Sequence, residues 1–94
     1  MIHLVVYKFR PATSLNHRQQ AIAGIKNMAA KIPGIKNTWL KTELDQIRDF
    51  GGVYAIEFVS PEAAADYAES SIHDVWRKKW EQLREDSLSF QVFN

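Results

Sequence analysis

The chain has 94 residues, 46% hydrophobic and 24% charged, which is typical of one soluble globular domain covering residues 1–94. Twelve basic and eleven acidic residues give a net charge of +1, so the sequence predicts no surface for nucleic acid or an anionic membrane. The absence of cysteine excludes disulfides, thiolate catalysis and cysteine-ligated metal sites.

The first half of the chain predicts a strand, a helix and a second strand. Residues 2–9 are rich in β-branched and aromatic side chains. Because the chain opens directly into this segment and no apolar run reaches the length of a membrane span, we expect a cytoplasmic protein. Ser14 can cap a helix that runs to about Ile32, where Pro33-Gly34 ends it. A strand over residues 36–44 follows.

The second half predicts a strand, a helical region and a last strand. Residues 45–49 turn the chain back into a clear strand over 53–59. Ser60-Pro61-Glu62 has the cap and the early proline of a helix start. Helical sequence then continues to about residue 85, and residues 87–92 alternate between apolar and polar types, as in a strand with one wet face.

The resulting β-α-β-β-α-β order is the ferredoxin-like arrangement, an α+β fold in which helices cover one face of a four-stranded antiparallel sheet. Both faces of the first and third strands are apolar, whereas a solvated face would show polar alternation. The simplest cover for the second face is another copy of the chain, packed sheet to sheet as a homodimeric α+β barrel. Glu57 would lie near that interface, and we expect it to have a hydrogen-bond or charge partner.

Tyr67 and His73 are the candidate catalytic pair. On one continuous helix a separation of six residues would place them roughly 240° apart. Ser70 or Ser71 can cap a new helix, and Ser71 with Asp74 resembles a capping box. A break there can turn both side chains toward one pocket as a phenol–imidazole acid/base pair. The alternative is a core tyrosine beside a histidine without a chemical role.

A pocket around this pair would be aromatic and apolar. His73, Trp76 and Trp80 share one helical stripe, and partial desolvation would keep the imidazole neutral. Such a pocket suits a flat hydrophobic molecule, an aromatic or polyketide-like compound. The residues predicted to bind it are Val5, Tyr7, Tyr54, Ile56, Trp76 and Trp80. The alternative for these side chains is simple core packing. Three scattered histidines without paired carboxylates predict no metal site.

Three segments resemble the dimeric α+β barrel superfamily, and most closely its stress-responsive A/B barrel family. They are the opening residues 2–11, Lys31-Ile32-Pro33-Gly34-Ile35 after the first helix, and residues 57–63 entering the second. The similarity spans essentially the whole chain and implies a dimer. The stretch from Pro33-Gly34 through Trp39 to Gly51-Gly52-Val53-Tyr54 is also similar to mono-oxygenase members of the superfamily.

The polyketide cyclase branch implies specific residue roles. There a tyrosine and a histidine six residues apart act as the acid/base pair, and Tyr67 and His73 fall on those positions. His3 matches a further pocket histidine on the first strand. The resemblance therefore implies a small-molecule barrel with lyase- or cyclase-like chemistry and no cofactor. A cofactor-free mono-oxygenase of an aromatic substrate and a non-catalytic, stress-associated ligand-binding dimer are the alternatives.

Overall fold

A computed structural model describes residues 1–41 and 51–93 of the chain. Its elements follow the predicted order, with the second helical region divided in two. They are β1 (Ile2–Phe9), α1 (Leu15–Lys31), β2 (Ile35–Lys41), β3 (Gly52–Phe58), α2 (Pro61–Glu69), α3 (Ser71–Leu83) and β4 (Arg84–Val92). The ferredoxin-like α+β fold is thus confirmed. The predicted end of the second strand beyond Lys41 and the turn at 45–49 lie outside the described residues.

The helix starts follow from their caps. Ser14 accepts a hydrogen bond from the His17 backbone N–H at 3.1 Å and begins α1, as predicted. Ser60 accepts one from the Ala63 backbone N–H, also at 3.1 Å, and Pro61 follows as the first residue of α2. These side chains satisfy backbone donors that a helix start leaves unpaired.

The sheet is antiparallel throughout, in the order β2-β3-β1-β4. β1 therefore lies in the interior of the sheet, between β3 and β4. Val5 of β1 pairs with Tyr54 of β3 and with Ser89 of β4, which places these three residues on one face. This is the face that the helices cover. Side chains of this face and of the helices pack together as the hydrophobic core. It includes Val5, Tyr7, Ile25, Met28, Tyr54, Ile56, Phe58, Tyr67, Trp76 and Trp80.

The opposite face of the sheet carries an apolar surface that no described helix covers. Leu4 pairs with Ala55 on one side and with Phe90 on the other, and Ala55 pairs with Trp39. Trp39 is 44% exposed and Phe90 is 51% exposed. We call this surface the open face; it consists of Ile2, Leu4, Val6, Trp39, Val53, Ala55, Leu88, Phe90 and Val92. The two-faced apolar pattern of the sequence is present in the structure.

Glu57 has the partner that the sequence analysis expected. The Asn37 side-chain amide donates a 2.8 Å hydrogen bond to Glu57 Oε1 across β2 and β3. Asn37 and Glu57 are register partners, and Glu57 pairs on its other side with Ile2. The bond therefore lies at the border of the open face.

The alternation of β4 is also present, with its apolar side chains on the open face. Leu88 and Phe90 pair with Val6 and Leu4. The intervening Ser89 and Gln91 share the helix side of the sheet yet remain exposed, because β4 is an edge strand. The polar, solvent-exposed side of β4 is thus the side turned toward the helices.

Gly52 makes room for the Tyr7 ring. A Cβ at this position would lie 2.5 Å from Tyr7 Oη, 2.6 Å from Tyr7 Cζ and 3.0 Å from the Lys41 carbonyl oxygen. We expect Gly52→Ala to lower the free energy of unfolding by about 1–3 kcal/mol, since the buried ring would have to shift. Urea unfolding measures this change. Gly51→Ala is the matched control, because the nearest described atom to its Cβ, the Tyr7 carbonyl oxygen, is 4.0 Å away. Equal effects of the two variants would contradict this account.

Candidate active site

Ser70 produces the bend that the site requires. Its backbone N–H donates to the Tyr67 carbonyl at 3.1 Å and ends α2, and its Oγ accepts a hydrogen bond from the His73 backbone N–H at 3.0 Å and begins α3. The predicted helix break is therefore present. Of the two serines considered, Ser70 is the cap, and Ser71 is the first residue of α3. One extended residue between two helices changes the direction of the second helix axis.

This bend brings the Tyr67 and His73 side chains together. Their ring centroids are 4.4 Å apart, with an angle of 48° between the ring planes. Tyr67 is only 5% exposed and also packs against Phe58, whereas His73 is half-buried. The phenol and the imidazole are therefore neighbours in a mostly dry environment, with the imidazole nearer to solvent.

Both members of the pair carry a buried polar atom that lacks a hydrogen-bond partner among the described residues. These atoms are Tyr67 Oη and His73 Nδ1. An unpaired buried donor or acceptor costs about 1–3 kcal/mol, so proteins rarely keep one without a reason. Two such atoms on adjacent rings mark a place where a polar ligand group would gain hydrogen bonds on entry.

Burial sets the protonation state of both groups. It lowers the pKa of His73 below the usual 6.5, and the Ala68 backbone acts in the opposite direction. Burial raises the pKa of Tyr67 above its usual value. At neutral pH the imidazole is therefore uncharged and can accept a proton, while the phenol keeps its proton and can donate a hydrogen bond.

His3 lies on the same side of the sheet, and an aromatic chain connects it to the pair. The distance between ring centroids is 6.2 Å from His3 to Tyr54 and 6.0 Å from Tyr54 to Trp76. From Trp76 to His73 it is 6.2 Å. Burial lowers the pKa of His3 as well, against a hydrogen bond with Gln91 that raises it. Two neutral imidazoles thus flank the Tyr54 and Trp76 rings.

The other four predicted pocket residues, Val5, Tyr7, Ile56 and Trp80, surround the rings of Tyr54 and Trp76. Val5 and Ile56 are buried on the helix-facing side of β1 and β3. Tyr7 and Trp80 contact each other at 4.9 Å and both pack on Phe9, away from the Tyr67–His73 pair. The structure therefore gathers His3, Tyr54 and Trp76 near the pair and leaves the remaining four as the surrounding core.

Two residues of this region were missed by the sequence reasoning as contributors to the site. Gln91 holds Nδ1 of His3, and the β1–β4 register brings these residues opposite each other. The only signal in the sequence was the polar alternation of the last strand, which does not give the register. Ala68, whose backbone lies near His73, carried no signal at all because its side chain is not involved.

Two surface grooves have volumes of about 550 and 470 Å³, and neither is lined by Tyr67, His73 or His3.

Within residues 1–41 and 51–93, no three His, Cys, Asp or Glu side chains are grouped closely enough to hold a metal ion. Among the same residues, no helix combines the length and apolar character needed to cross a membrane.

A family profile described as the stress-responsive A/B barrel domain matches residues 1–94. Among curated protein sequences, none matches this chain significantly.

Solved structures share the fold at low sequence identity. A hydroxynitrile lyase from Passiflora edulis is 20% identical with a TM-score of 0.90, covering 99% of this chain and 92% of its own. A dimeric ferredoxin-like protein of unknown function from Thermobifida fusca is 13% identical with a TM-score of 0.81, covering 95% and 85%. SnoaB, a cofactor-independent oxygenase from Streptomyces nogalater, is 11% identical with a TM-score of 0.74, covering 99% and 92%. At these identities the likeness establishes the fold alone.

The unpaired hydroxyl of Tyr67 gives a stability prediction. Tyr67→Phe removes a buried group without a partner and keeps the ring packing, so we expect the free energy of unfolding to rise by about 1 kcal/mol. Urea unfolding measures the change. Tyr67→Leu, which also loses the contacts with Phe58 and His73, should destabilise the fold instead. A clear loss of stability in Tyr67→Phe would mean that the hydroxyl has a partner in the free protein.

Proposed function

The chain belongs to the stress-responsive A/B barrel family, and on that premise we propose that it binds a hydrophobic, aromatic or polyketide-like small molecule beside Tyr67 and His73. We propose further that this pair carries out cofactor-independent acid/base chemistry of the lyase or cyclase type. The observation that carries the proposal is the pair of unpartnered polar atoms on two adjacent rings. Fold alone would leave the reaction open.

The proposed reaction step is enolisation of a carbonyl compound. The neutral His73 imidazole takes a proton from the carbon next to the carbonyl, and the electron pair of that C–H bond moves to form the enolate. Tyr67 donates a hydrogen bond to the developing oxyanion, and its raised pKa keeps the phenol protonated for this task. Return of the proton from the imidazolium to the product, at carbon or at oxygen, restores both residues.

The environment favours this division of roles. The aromatic layer of Tyr54 and Trp76 offers flat apolar surfaces to a ring-bearing substrate. His3, held by Gln91, adds a second neutral imidazole that can orient a polar substituent. Displacement of water from this layer would strengthen each hydrogen bond to the oxyanion.

A cofactor-free mono-oxygenase reaction is the second candidate. The likeness to SnoaB supports it at the level of the fold, and the same base could deprotonate an electron-rich aromatic before it reacts with molecular oxygen. Consumption of dissolved oxygen together with the substrate separates this reaction from a lyase or cyclase. A stress-associated dimer that binds an aromatic molecule and does not turn it over is the third.

The working unit is proposed to be a homodimer. The open face is a contiguous apolar surface on which large side chains such as Trp39 and Phe90 are about half exposed. Isolated proteins rarely leave a surface of this kind in water, and a two-fold pairing of the same surface would bury it. The description of the Thermobifida fusca protein as dimeric supports this assembly.

Deuterium exchange tests the acid/base proposal. The substrates are a panel of ketones that carry an aromatic ring, such as phenylacetone. In D₂O the protein should accelerate the loss of the α-proton NMR signals of at least one of them. Tyr67→Phe and His73→Gln should each reduce the enzymatic rate by about 10²-fold or more. His17→Gln is the matched control, since His17 is exposed on α1.

The pH profile of the same exchange has a defined sign. The reaction needs the neutral imidazole, so the rate should be retained at pH 7 and fall only below pH 6.5, through the lowered pKa of His73. Equal rates in wild type, Tyr67→Phe and His73→Gln across the panel would overturn the proposal.

Sedimentation velocity tests the dimer. We expect wild type to sediment as a dimer and Phe90→Glu as a folded monomer, because the substitution places a charge on the open face that the dimer would bury. Val75→Glu is the control: Val75 is 58% exposed but lies on α3, on the opposite side of the sheet. A monomeric wild type, or equal dissociation by both variants, would contradict the assembly.

A further inference from the structure

A groove between α1 and α3 lies beside the proposed active site and shares Trp76 with its aromatic layer. Its volume is about 550 Å³, within the range of sites that bind small molecules. Its lining comes from the two helices and excludes Tyr67 and His73. It also lies on the helix side of the sheet, away from the open face.

The floor of the groove is preformed by a tight contact between the helices. The Trp76 indole donates a 3.0 Å buried hydrogen bond to the Ala21 carbonyl, which fixes the ring against α1. A Cβ on Gly24 would lie 2.6 Å from Trp76 Cδ1, so only glycine lets the ring lie there undisturbed. Met28 and Val75 extend this apolar surface on either helix. The groove thus offers a rigid aromatic floor with aliphatic sides.

The charges at the groove have one sign. Among the residues that the structure describes, no acidic side chain lines it, whereas Lys31 and Lys79 do. Neither lysine forms an ion pair with another described residue. The acids of α3 lie on its other side: Asp74 pairs with Arg77 at 2.9 Å and with Lys78 at 3.1 Å. Glu81 likewise pairs with Arg77, at 2.8 Å. Ammonium groups next to an apolar floor complement an anion with an apolar body.

The helix directions place these two lysines apart along the groove. Each of the two helices runs back along the sheet, antiparallel to the strand that adjoins it in the chain: α1 follows β1, and α3 precedes β4. Because β1 and β4 are themselves antiparallel, α1 and α3 run in opposite directions. Gly24 meets Trp76. Lys79, one turn beyond Trp76, therefore lies toward the start of α1, whereas Lys31 lies in its last turn.

We propose that this groove is a binding site for a small amphiphilic carboxylate. The apolar body lies on the Trp76 floor, and the carboxylate is held by Lys31 or Lys79 at one end of the groove. This site shares the Trp76 ring with the aromatic layer of the proposed active site, but neither Tyr67 nor His73, so variants of that pair test the two sites separately.

Octanoate, with 1-octanol as its uncharged counterpart, tests the proposal on the full chain below micelle-forming concentrations. Calorimetry should show octanoate binding at least 5-fold more tightly than 1-octanol, with the difference shrinking as salt is added. Amide NMR signals of Ala21, Gly24 and Val75 should shift. Lys31→Gln or Lys79→Gln should weaken octanoate binding at least 5-fold and leave 1-octanol unchanged. Lys78→Gln, on the same helix but outside the groove, is the matched control.

Several results would overturn the site. They are no octanoate binding, equal affinities for octanoate and 1-octanol, unchanged affinity in both lysine variants, or an equal loss in Lys78→Gln. Shifts confined to His3 and His73 would place the molecule in the active site instead. Dissociation of a dimer by octanoate would mark the groove as an interface between copies. Binding to phosphatidylglycerol vesicles without binding of dissolved octanoate would assign the lysines to a lipid surface.

Discussion

A sheet that is apolar on both faces is the constraint on which this structure depends. β1 and β3 alternate between two apolar sets, so helices on one side can bury only half of the hydrophobic surface. On the helix side, one aromatic layer with edge, tilted and stacked contacts is formed by Tyr7, Tyr54, Trp76 and Trp80. On the other side the same strands present the open face, which a partner copy would cover. The fold therefore separates the helix-covered layer, which holds the proposed site, from the open face, which the proposed dimer would bury.

The contact between Tyr67 and His73 depends on one serine. Ser70 ends α2 with its backbone and begins α3 with its hydroxyl, and the change of direction sets the His73 ring against Tyr67. The arrangement leaves two buried polar atoms unpaired, which is a cost to the folded state. A local cost of this kind is typical of a site whose hydrogen bonds are completed by a ligand. The same burial that leaves His73 Nδ1 without a partner also lowers the pKa of the imidazole. The ring is therefore neutral and able to accept a proton.

The sequence was informative where local signals agree. The caps Ser14 and Ser60, the strands and the two-faced pattern of β1 and β3 are each encoded within a few residues, and the structure agrees with them. The choice between Ser70 and Ser71 was not decidable locally, because both residue types cap helices well. The Tyr67–His73 contact followed from spacing only in combination with a break, and the resemblance to a family strengthened it.

Features that depend on long-range register could not be predicted. Gln91 meets His3 only through the pairing of the first and last strands. The groove joins Gly24 to Trp76 across 52 positions of sequence, and nothing near either residue indicates the other. The second apolar face was evident from β1 and β3 alone. The positions of the exposed Trp39 and Phe90, on the two edge strands of that face, could be known only from the strand order.

The most direct test of the central claim is a crystal structure of the protein with a bound ketone that carries an aromatic ring, such as phenylacetone. The account predicts the ketone oxygen within hydrogen-bond distance of Tyr67 Oη, the adjacent carbon next to the His73 imidazole, and the aromatic ring against Trp76 or Tyr54. A ketone bound elsewhere, with the Tyr67 and His73 rings still closed on each other, would contradict it. In that case the two side chains would serve only to pack α2 against α3.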